Sequence, residues 1–451
     1  MIRRKKEPQV SNRNTRRQSS VPTGRIERFM QLGLMAGELV IGGMIEGVRR
    51  VGTAPAEGAA NPMLNPRTAR RIADRLSHMR GAAMKLGQLL SLEGPDLLPP
   101  DFSAALGMLR AGADPMPHTQ LRRVLGREYG SGWEARFRHF DYDPVAAASI
   151  GQVHYAVAAD GRVVALKIQY PGVAQSIDSD VENVTRLMRL LKLLPGNIDV
   201  RETVAEAKRQ LHQEADYIEE AQLLQRYSKL VADEPRLYVP KVHMDLTTKR
   251  ILAMDFVDGE PLETLADEET SQSRRDALGR VLMRLLFREL FEFRFMQTDP
   301  NFANYLYDAA ENRIVLLDFG SVRRFESRFV ARFLRLCKAI IANDRPAVRR
   351  LATEIGYVQY DDPEHVIERG IELIMLVCEP LRHRGPYDFA HSKLPQRARE
   401  AGFDLLLSGD TLRAPPPETL FLHRKLAGSF LIMARIGARV NVRQLISAFL
   451  P

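Results

Sequence analysis

The chain of 451 residues is 45% apolar and 27% charged, a composition that allows one large core or two smaller ones and excludes an intrinsically disordered protein. Its only cysteines, Cys337 and Cys378, occur in apolar helical runs, which excludes a disulfide framework or a cysteine-based metal cluster, and we expect both thiols to be buried and inert. The formal net charge is +9, but the first 25 residues hold eight Lys and Arg against the single acid Glu7. The rest of the chain is therefore near neutral, which argues against a nucleic-acid-binding domain.

The first 24 residues form a basic tail, for which the composition leaves two interpretations. It is either a disordered, solvated segment or a polybasic segment attracted to anionic lipid. The tail is also rich in Arg and Ser and poor in acids, as mitochondrial transit peptides are, but it lacks their apolar face. The apolar run at 29–48 is interrupted by Glu38 and Glu46, so we expect a helix that lies on a protein or bilayer surface and does not span it.

A helical region follows the proline-containing entry at 61–66. Apolar residues recur there in steps of three and four, which predicts one buried face; they are Ile72, Leu76, Met79, Ala83, Leu86 and Leu90. Lys85 and Gln88 share a different face, where solvated residues of an ordinary amphipathic helix are the simplest interpretation. Three prolines within 93–102 end this helix, and a second helical passage runs to about Arg127.

Residues 135–170 change to strand-like composition. VHYAVAA and RVVALKI flank Asp160-Gly161, which predicts a β-hairpin. A small-residue loop, AAASIGQVH, precedes the hairpin, and Lys167 closes VALK at its far end. This order of loop, strand and strand lysine resembles the amino-terminal lobe of the protein-kinase fold.

A charged, periodic helix is predicted over residues 202–230. A kinase needs a carboxylate here to hold its strand lysine against the phosphates of the nucleotide, and Glu220 is our candidate. Glu214 lies six residues earlier, about 120° round a regular helix, so the two carboxylates could serve different lysines. The alternative is a helix covered with surface glutamates. Two more strands then lead to Asp258-Gly259, where a kinase would have the hinge between its lobes.

The stretch QTDPNFANYLYDAAENRIVLLDFG, residues 297–320, carries the strongest signal. Asp299 and Asn304 are five apart, the spacing of Asp and Asn in the kinase motif H-R-D-x-x-x-x-N, and Asp318 of Asp-Phe-Gly follows fourteen residues after Asn304. Phosphoryl transfer needs divalent metal ions held by oxygen ligands close to a residue that orients the nucleophile. The residues before Asp318 are apolar, as expected of a buried strand that ends by presenting a carboxylate.

Six motifs together resemble the UbiB (AarF-domain) atypical kinase-like family: MKLGQ, AAASIGQVH, VALK, EADYIEEA, QTDPNFAN and LLDFG. QTDPN and LHRKLAGSF, near residue 422, are most similar to its mitochondrial ubiquinone-biosynthesis branch. The likeness runs from about Val21 to the carboxyl terminus. It implies an α+β, protein-kinase-like two-lobe fold with a family-specific N-terminal helical extension. The implied domains are a basic tail at 1–24, the helical extension at 25–130, the amino-terminal lobe at 131–259 and the helical carboxyl-terminal lobe at 260–451.

The resemblance also implies a role for each matched residue. Lys167 would pair with Glu220 and hold the α- and β-phosphates. Asp299 would take the catalytic-loop role, and Asn304 and Asp318 would hold Mg²⁺. The remaining nucleotide contacts would come from the alanine-rich loop and the hinge: Ala146, Ala147, Ala148, Ser149, Asp255 and Val257.

A further implied feature is a cover over the site. Lys85 and Gln88 would belong to a helix that packs above it, with Lys85 reaching Glu214 or Asp216 and obstructing the place of a protein substrate. Water or a small lipid-like acceptor would then be favoured over a protein hydroxyl.

Three features depart from the pattern of ordinary kinases or of the family. The His-Arg of the kinase catalytic loop is Gln297-Thr298 here, which matches the mitochondrial branch of the family but removes the support that His-Arg gives in ordinary kinases. The segment 107–117 departs from the Gln-Asp often found there. No clear transmembrane helix is visible, so membrane attachment would rest on the basic tail, the 29–48 helix or a partner.

By resemblance, the chain is an atypical kinase or ATPase that binds Mg²⁺ and ATP or ADP and supports ubiquinone biosynthesis at a membrane. Its implied partners are ATP, quinone-biosynthesis enzymes and their lipid or phenolic precursors, with an anionic membrane surface as a further partner and no nucleic acid. A true kinase of a small molecule or protein and a non-catalytic nucleotide-binding scaffold are the alternatives. The expected location is the bacterial cytoplasm, peripherally on the inner membrane, or the mitochondrial matrix.

Residues 325–451 are predicted to be helical, with Pro415, Pro416 and Pro417 marking a loop before the last long helix. The apolar stripes of these helices are most simply the core of the carboxyl-terminal lobe. A lipid groove between helices is the alternative.

Overall fold

The computed structural model describes residues 115–148, 150–190, 201–407 and 417–450. The predicted basic tail, the 29–48 helix and the helix of Lys85 and Gln88 lie outside these ranges. Within them, no helix is both long enough and apolar enough to cross a membrane.

Helices and strands alternate through the first half of the described chain, and helices dominate the second. The helices are α1 (His118–Tyr129), α2 (Val173–Leu190), α3 (Arg201–Glu214), α4 (Tyr217–Leu230), α5 (Gln272–Phe287), α6 (Ser327–Ile341), α7 (Arg345–Ile355), α8 (Glu364–Val377), α9 (Glu379–Arg382), α10 (Leu394–Leu407), α11 (Pro417–Ile436) and α12 (Val442–Ser447). The strands are β1 (Phe137–Phe140), β2 (Ala146–Ala147), β3 (Gly151–Ala158), β4 (Val163–Gln169), β5 (Leu237–Tyr238), β6 (Ile251–Asp255), β7 (Glu260–Pro261), β8 (Phe295–Gln297), β9 (Tyr305–Asp308), β10 (Arg313–Leu316), β11 (Val322–Arg324), β12 (Tyr387–Asp388) and β13 (Arg439–Val440). A π-helical turn, Arg288–Glu292, continues α5, and short 3₁₀ helices occur at Trp133–Arg136, Leu262–Ala266 and Phe302–Asn304.

The chain forms two compact units. The first contains the described residues up to Glu219 together with Val242–Phe256, and the second contains Glu220–Lys241 and the residues from Val257 onwards. The domain limits drawn from the sequence stay predictions.

The first unit is built on an antiparallel sheet in the order β1-β3-β4-β6, with β2 paired to the first residues of β3. The predicted hairpin is confirmed, because β3 and β4 pair on either side of Asp160-Gly161, and Gly161 has the positive φ of 93° that favours glycine. Leu166 and Ile168 are completely buried on one face of β4, so Lys167 points to the other face.

The single helix predicted over 202–230 is wrong. The chain breaks after Glu214 and restarts at Tyr217, where Asp216 Oδ1 accepts hydrogen bonds from the N–H groups of Ile218 and Glu219 at 3.1 Å each. An aspartate in this position satisfies backbone donors that the first turn of a helix leaves without partners, so it starts a new helix. The expected 120° offset between Glu214 and Glu220 therefore has no basis.

Helix α2 is a further element that the sequence analysis did not predict. Val173, Ile177 and Val181 are completely buried and recur in steps of four, so they form the buried face of an amphipathic helix.

The second unit contains a four-stranded sheet in the order β5-β10-β9-β7, in which β5 and β10 are parallel and the other pairs antiparallel. A separate two-stranded sheet pairs β8 with β11. The helices predicted after residue 325 are confirmed as α6, α8 and α11. Pro417, which was predicted to lie in the loop before the last helix, is instead the first residue of α11, a position that proline tolerates because its missing N–H has no partner there. Pro415 and Pro416 lie outside the described residues. The apolar side of α6, including Phe333 and Leu336, is buried and supports the core interpretation.

Candidate active site

The loop between β8 and β9 presents Asp299, and a set of short hydrogen bonds fixes its backbone. The carbonyl oxygen of Asp299 accepts from Gln297 Nε2 at 2.7 Å and from Asn304 Nδ2 at 3.0 Å. Thr298 is completely buried, and its hydroxyl lies 3.0 Å from the hydroxyl of Ser321. Gln297 and Thr298, which replace the His-Arg of ordinary kinases, thus bind the loop and the segment after Asp318 through neutral hydrogen bonds.

The carboxylate of Asp299 has a cationic neighbour that the sequence analysis did not single out. Arg424 Nη2 of α11 donates to Asp299 Oδ1 at 2.9 Å. Both side chains are mostly buried, with 16% of Arg424 and 14% of Asp299 exposed. Because the pair is shielded from water, it restrains the orientation of the carboxylate more strongly than a surface ion pair would.

Asp318 follows the buried strand β10, as the sequence predicts. Residues Ile314 and Val315 of that strand are completely buried. Asp318 Oδ1 accepts from the N–H of Gly320 at 2.9 Å, and the N–H of Leu317 donates to the carbonyl oxygen of Asn304 at 3.0 Å. The two segments that carry the expected metal ligands are therefore joined through their backbones.

Asn304 and Asp318 line one small cleft within the second unit, with about 220 Å³ of space not filled by atoms, including space open to solvent. The other lining residues are Tyr227, Leu285, Glu289, Gln297, Tyr305, Leu316, Phe319 and Lys425. Among the described residues, no group of three or more His, Cys, Asp or Glu side chains could hold a metal ion. An amide and a single carboxylate suit Mg²⁺, which usually completes its octahedral shell with phosphate oxygens and water.

A buried polar network forms the floor of this cleft. Lys425 Nζ lies 3.1 Å from Glu289 Oε2 and donates to Gln297 Oε1 at 3.1 Å. Glu289 Oε1 in turn accepts from the hydroxyl of Tyr227 at 2.5 Å and from the N–H of Gln297 at 2.9 Å. Burial and the neighbouring Glu289 raise the pKa of Tyr227 well above its usual value, so this phenol remains a donor. Burial alone would lower the pKa of Lys425, but Glu289 and Tyr305 outweigh it and raise the pKa above its usual value.

Sequence reasoning missed this network for an identifiable reason. Lys425 and Arg424 belong to LHRKLAGSF, which served only as a family match, and Glu289 lies in a long helical stretch with no motif around it. These side chains meet beside the site because α11 packs against the loop 297–304, and no local sequence pattern encodes that packing.

The alanine-rich segment of the first unit is only partly a loop. Ala146 and Ala147 form β2 and pair with β3, whereas Ala148 lies beyond the strand and its N–H donates to the carbonyl oxygen of Gly151 at 2.9 Å. Ser149 lies outside the described residues. Ala146 and Ala147 are exposed, and their predicted contact with nucleotide stays a prediction.

Lys167 and its candidate partners are all largely buried. Lys167 is 8% exposed on β4, and its Nζ lies 5.2 Å from the ring centroid of Tyr217, close enough for a cation–π interaction. Glu214 is 6% exposed at the end of α3, and Glu220 is 1% exposed on α4. Burial of these two carboxylates contradicts the alternative of a helix covered with surface glutamates at these positions. The pairing of Lys167 with Glu220 stays a prediction.

The predicted cover over the site involves two residues outside the described ranges and two described acids. Lys85 and Gln88 lie outside the described residues, so their contact with Glu214 or Asp216 stays a prediction. The carboxylate of Asp216 already caps α4 through two backbone hydrogen bonds.

The predicted hinge begins with Asp255 at the end of β6. His243 Nε2 lies 2.8 Å from Asp255 Oδ1, and Arg162 Nη1 lies 2.9 Å from His243 Nδ1. Arg162 can only donate, so His243 carries its proton on Nε2 and donates it to Asp255. Asp255 Oδ1 thus accepts a hydrogen bond within the first unit, and the nucleotide contacts predicted for Asp255 and Val257 stay predictions.

A family model and several known proteins match this chain. Residues 108–352 match the model of the ABC1 atypical kinase-like domain. The protein "Atypical kinase COQ8B, mitochondrial" of Rattus norvegicus is 38% identical over 447 residues, which cover 98% of this chain and 83% of the relative. "Atypical kinase COQ8, mitochondrial" of Saccharomyces cerevisiae is 35% identical over 435 residues, 96% of this chain and 86% of the relative.

The fold is similar to that of a solved structure. The Rv3197 protein of Mycobacterium tuberculosis, determined in complex with erythromycin, matches with a TM-score of 0.61 and 26% identity over 85% of this chain and 96% of that one. The predicted kinase-like fold of mixed helices and strands is confirmed. This chain belongs to the ABC1 (UbiB/AarF) atypical kinase-like family.

Proposed function

We propose that this chain is an atypical kinase or ATPase that binds ATP with Mg²⁺ and supports ubiquinone biosynthesis at a membrane surface. The observation that carries the proposal is the cleft of the second unit, where Asn304 and Asp318 meet beside the loop of Asp299. Similarity to mitochondrial atypical kinases supports the kinase or ATPase chemistry. The motifs QTDPN and LHRKLAGSF support the quinone-biosynthesis branch.

In this proposal each residue has a distinct task. Asn304 and Asp318 hold Mg²⁺, which when bound neutralises the phosphate oxygens. Asp299 orients the acceptor and takes its proton. Lys167, held by Glu220, binds the α- and β-phosphates. Ala146, Ala147 and Ala148 border the nucleotide.

The acceptor in this proposal is water or a small phenolic or lipid-like molecule. Lys85 and Gln88 would restrict access for a protein substrate. The protein would act peripherally at a membrane, on the cytoplasmic side of a bacterial inner membrane or in the mitochondrial matrix, with quinone-biosynthesis enzymes and their lipid precursors as partners. The basic tail at 1–24 would be attracted to anionic lipid.

The test is ATP turnover by the purified chain with and without Mg²⁺, anionic liposomes and a phenol that mimics a quinone precursor. We expect turnover that requires Mg²⁺, rises with liposomes and phenol, and is lost in Asp318→Asn. The matched control is Asp344→Asn, because Asp344 caps α7 by accepting from the N–H of Ala347 at 3.0 Å and asparagine caps equally well. Asp344→Asn should keep wild-type turnover.

Two other outcomes would change the assignment. Transfer of labelled phosphate to the phenol or to a protein would favour a true kinase. Nucleotide binding without turnover under every condition, together with full function of Asp318→Asn in cells that lack the protein, would favour a non-catalytic scaffold.

A further inference from the structure

The loop that carries Asp299 has no positive charge of its own. No Lys or Arg occurs between Gln297 and Asn312. The side chain of Asn301, two residues after Asp299, accepts from the N–H of Ala303 at 3.2 Å and so serves the backbone of the loop. Phosphoryl transfer develops charge on the oxygens of the transferred group, and a cationic side chain placed against them stabilises the transition state. Such a cation must reach this loop from another part of the chain.

Helix α11 brings a cation to the loop in a fixed position. Arg424 donates to Asp299 Oδ1 at 2.9 Å, and the next residue, Lys425, is anchored by Glu289. One turn later, Gly428 packs so closely on Pro300 that a Cβ at position 428 would overlap the proline ring. An ion pair and a steric fit therefore hold Arg424 beside Asp299.

The guanidinium of Arg424 also has unused hydrogen-bonding capacity. Its Nε is buried and has no hydrogen-bond partner among the described residues. Arginine carries five N–H donors in one plane, and leaving a buried donor unpaired is unfavourable. An anionic oxygen that binds next to Asp299 and displaces the atoms around Nε would therefore give this donor a partner.

We propose that Arg424 is a catalytic residue of this site, which supplies from α11 the positive charge that the loop 297–304 lacks and donates a hydrogen bond to the phosphoryl group during its transfer. The inference rests on the proposed function. In the transfer step the bond between the γ-phosphorus and the bridging oxygen breaks, and its electron pair leaves with ADP. A bond forms from the acceptor oxygen to phosphorus, and the acceptor proton passes to Asp299.

If Arg424 only held α11 against the loop, its substitution would affect stability and not the transition state. The test therefore compares three variants of the full chain: Arg424→Gln, Arg424→Lys and Arg435→Gln. Arg435 is exposed on the same helix and serves as the matched control. For each variant we would measure kcat and KM for ATP, thermal stability, and the Kd values of Mg-ADP and of Mg-ADP with aluminium fluoride, which mimics the phosphoryl group in transfer.

We expect Arg424→Gln to lower kcat by about 10³-fold, as the loss of a transition-state arginine does, with the Kd of Mg-ADP changed by less than about threefold. The extra affinity that aluminium fluoride gives Mg-ADP should be lost, since that complex resembles the transition state. Arg424→Lys keeps the positive charge but lacks the planar set of donors. It should recover part of kcat and part of the extra affinity that aluminium fluoride gives Mg-ADP. Arg435→Gln should match wild type in every measurement.

The inference is overturned if Arg424→Gln keeps wild-type kcat and aluminium fluoride affinity, or if its kcat falls only in proportion to lost folded protein. If Arg424→Gln does not fold, Arg424→Lys decides, because a folded lysine variant with wild-type kcat and aluminium fluoride affinity also refutes it. Failure of the proposed function looks different. In that case wild type itself neither turns over ATP nor binds Mg-ADP more tightly with aluminium fluoride.

Discussion

Substitution of Lys425 by methionine would test the network under the candidate site. Lys425 is 4% exposed and Glu289 is completely buried, so the substitution leaves a carboxylate in the interior without its cation. Breaking a buried ion pair on one side costs about 3–5 kcal/mol. Glu289 keeps the hydroxyl of Tyr227 and the N–H of Gln297 as donors. We therefore expect the free energy of unfolding to fall by the lower end of this range, about 3 kcal/mol.

The assay is urea unfolding followed by circular dichroism, arranged as a double-mutant cycle. Lys425→Met and Glu289→Gln are each expected to destabilise the protein, because each leaves one buried polar partner without the other. The double variant should recover about 2 kcal/mol of the summed loss, since a methionine and a neutral amide no longer leave a bare charge. Lys229→Met, at an exposed position of α4, is the control and should lie within about 0.5 kcal/mol of wild type.

Two results would refute this reasoning. Strictly additive losses in the double variant would mean that Lys425 and Glu289 do not interact energetically. A loss of less than about 1 kcal/mol for Lys425→Met would mean that water reaches Glu289 in the variant, contrary to its complete burial.

Three further predictions concern other parts of the chain. Burial lowers the pKa of His154 to about 4, so below about pH 6.5 only the unfolded chain gains this proton, and the free energy of unfolding should fall by about 1.4 kcal/mol per pH unit down to about pH 4. Urea unfolding between those limits should lose this slope in His154→Asn; an unchanged slope would contradict the prediction. Gly428→Ala should destabilise by about 1–3 kcal/mol through overlap with the loop, whereas Gly402→Ala in α10, where a Cβ meets nothing within 4 Å, should stabilise by about 0.5–1 kcal/mol in the same assay. Cys337 is buried, whereas Cys378, which was also expected to be buried, is only half-buried. Desolvation nevertheless raises the pKa of Cys378 to about 12 and that of Cys337 well above its usual value, so both thiols should resist a thiol reagent at mildly alkaline pH until the chain is unfolded, and rapid labelling of the folded protein would refute this.

Several features could be predicted because their signal is local. The β3–β4 hairpin follows from two apolar runs around Asp160-Gly161, and the strand before Asp318 follows from a continuous apolar run. The break between α3 and α4 could also have been predicted. Asp216 and Glu219 have the three-residue spacing typical of a helix start, but the continuous charge periodicity across the break concealed it.

By itself, the sequence determined the family, the kinase-like fold and the spacing of Asp299, Asn304 and Asp318, because motif spacing and hydrophobic periodicity are properties of neighbouring residues. Only the tertiary structure decided which charged side chains surround that site. Arg424 reaches Asp299 across 125 residues, and Lys425 reaches Gln297 across 128. On an amphipathic helix, a lysine or arginine looks the same in sequence whether water or a buried carboxylate is its partner. The packing of α11 against the loop makes that choice, since it removes water from both charges and brings each donor within hydrogen-bonding distance of one acceptor.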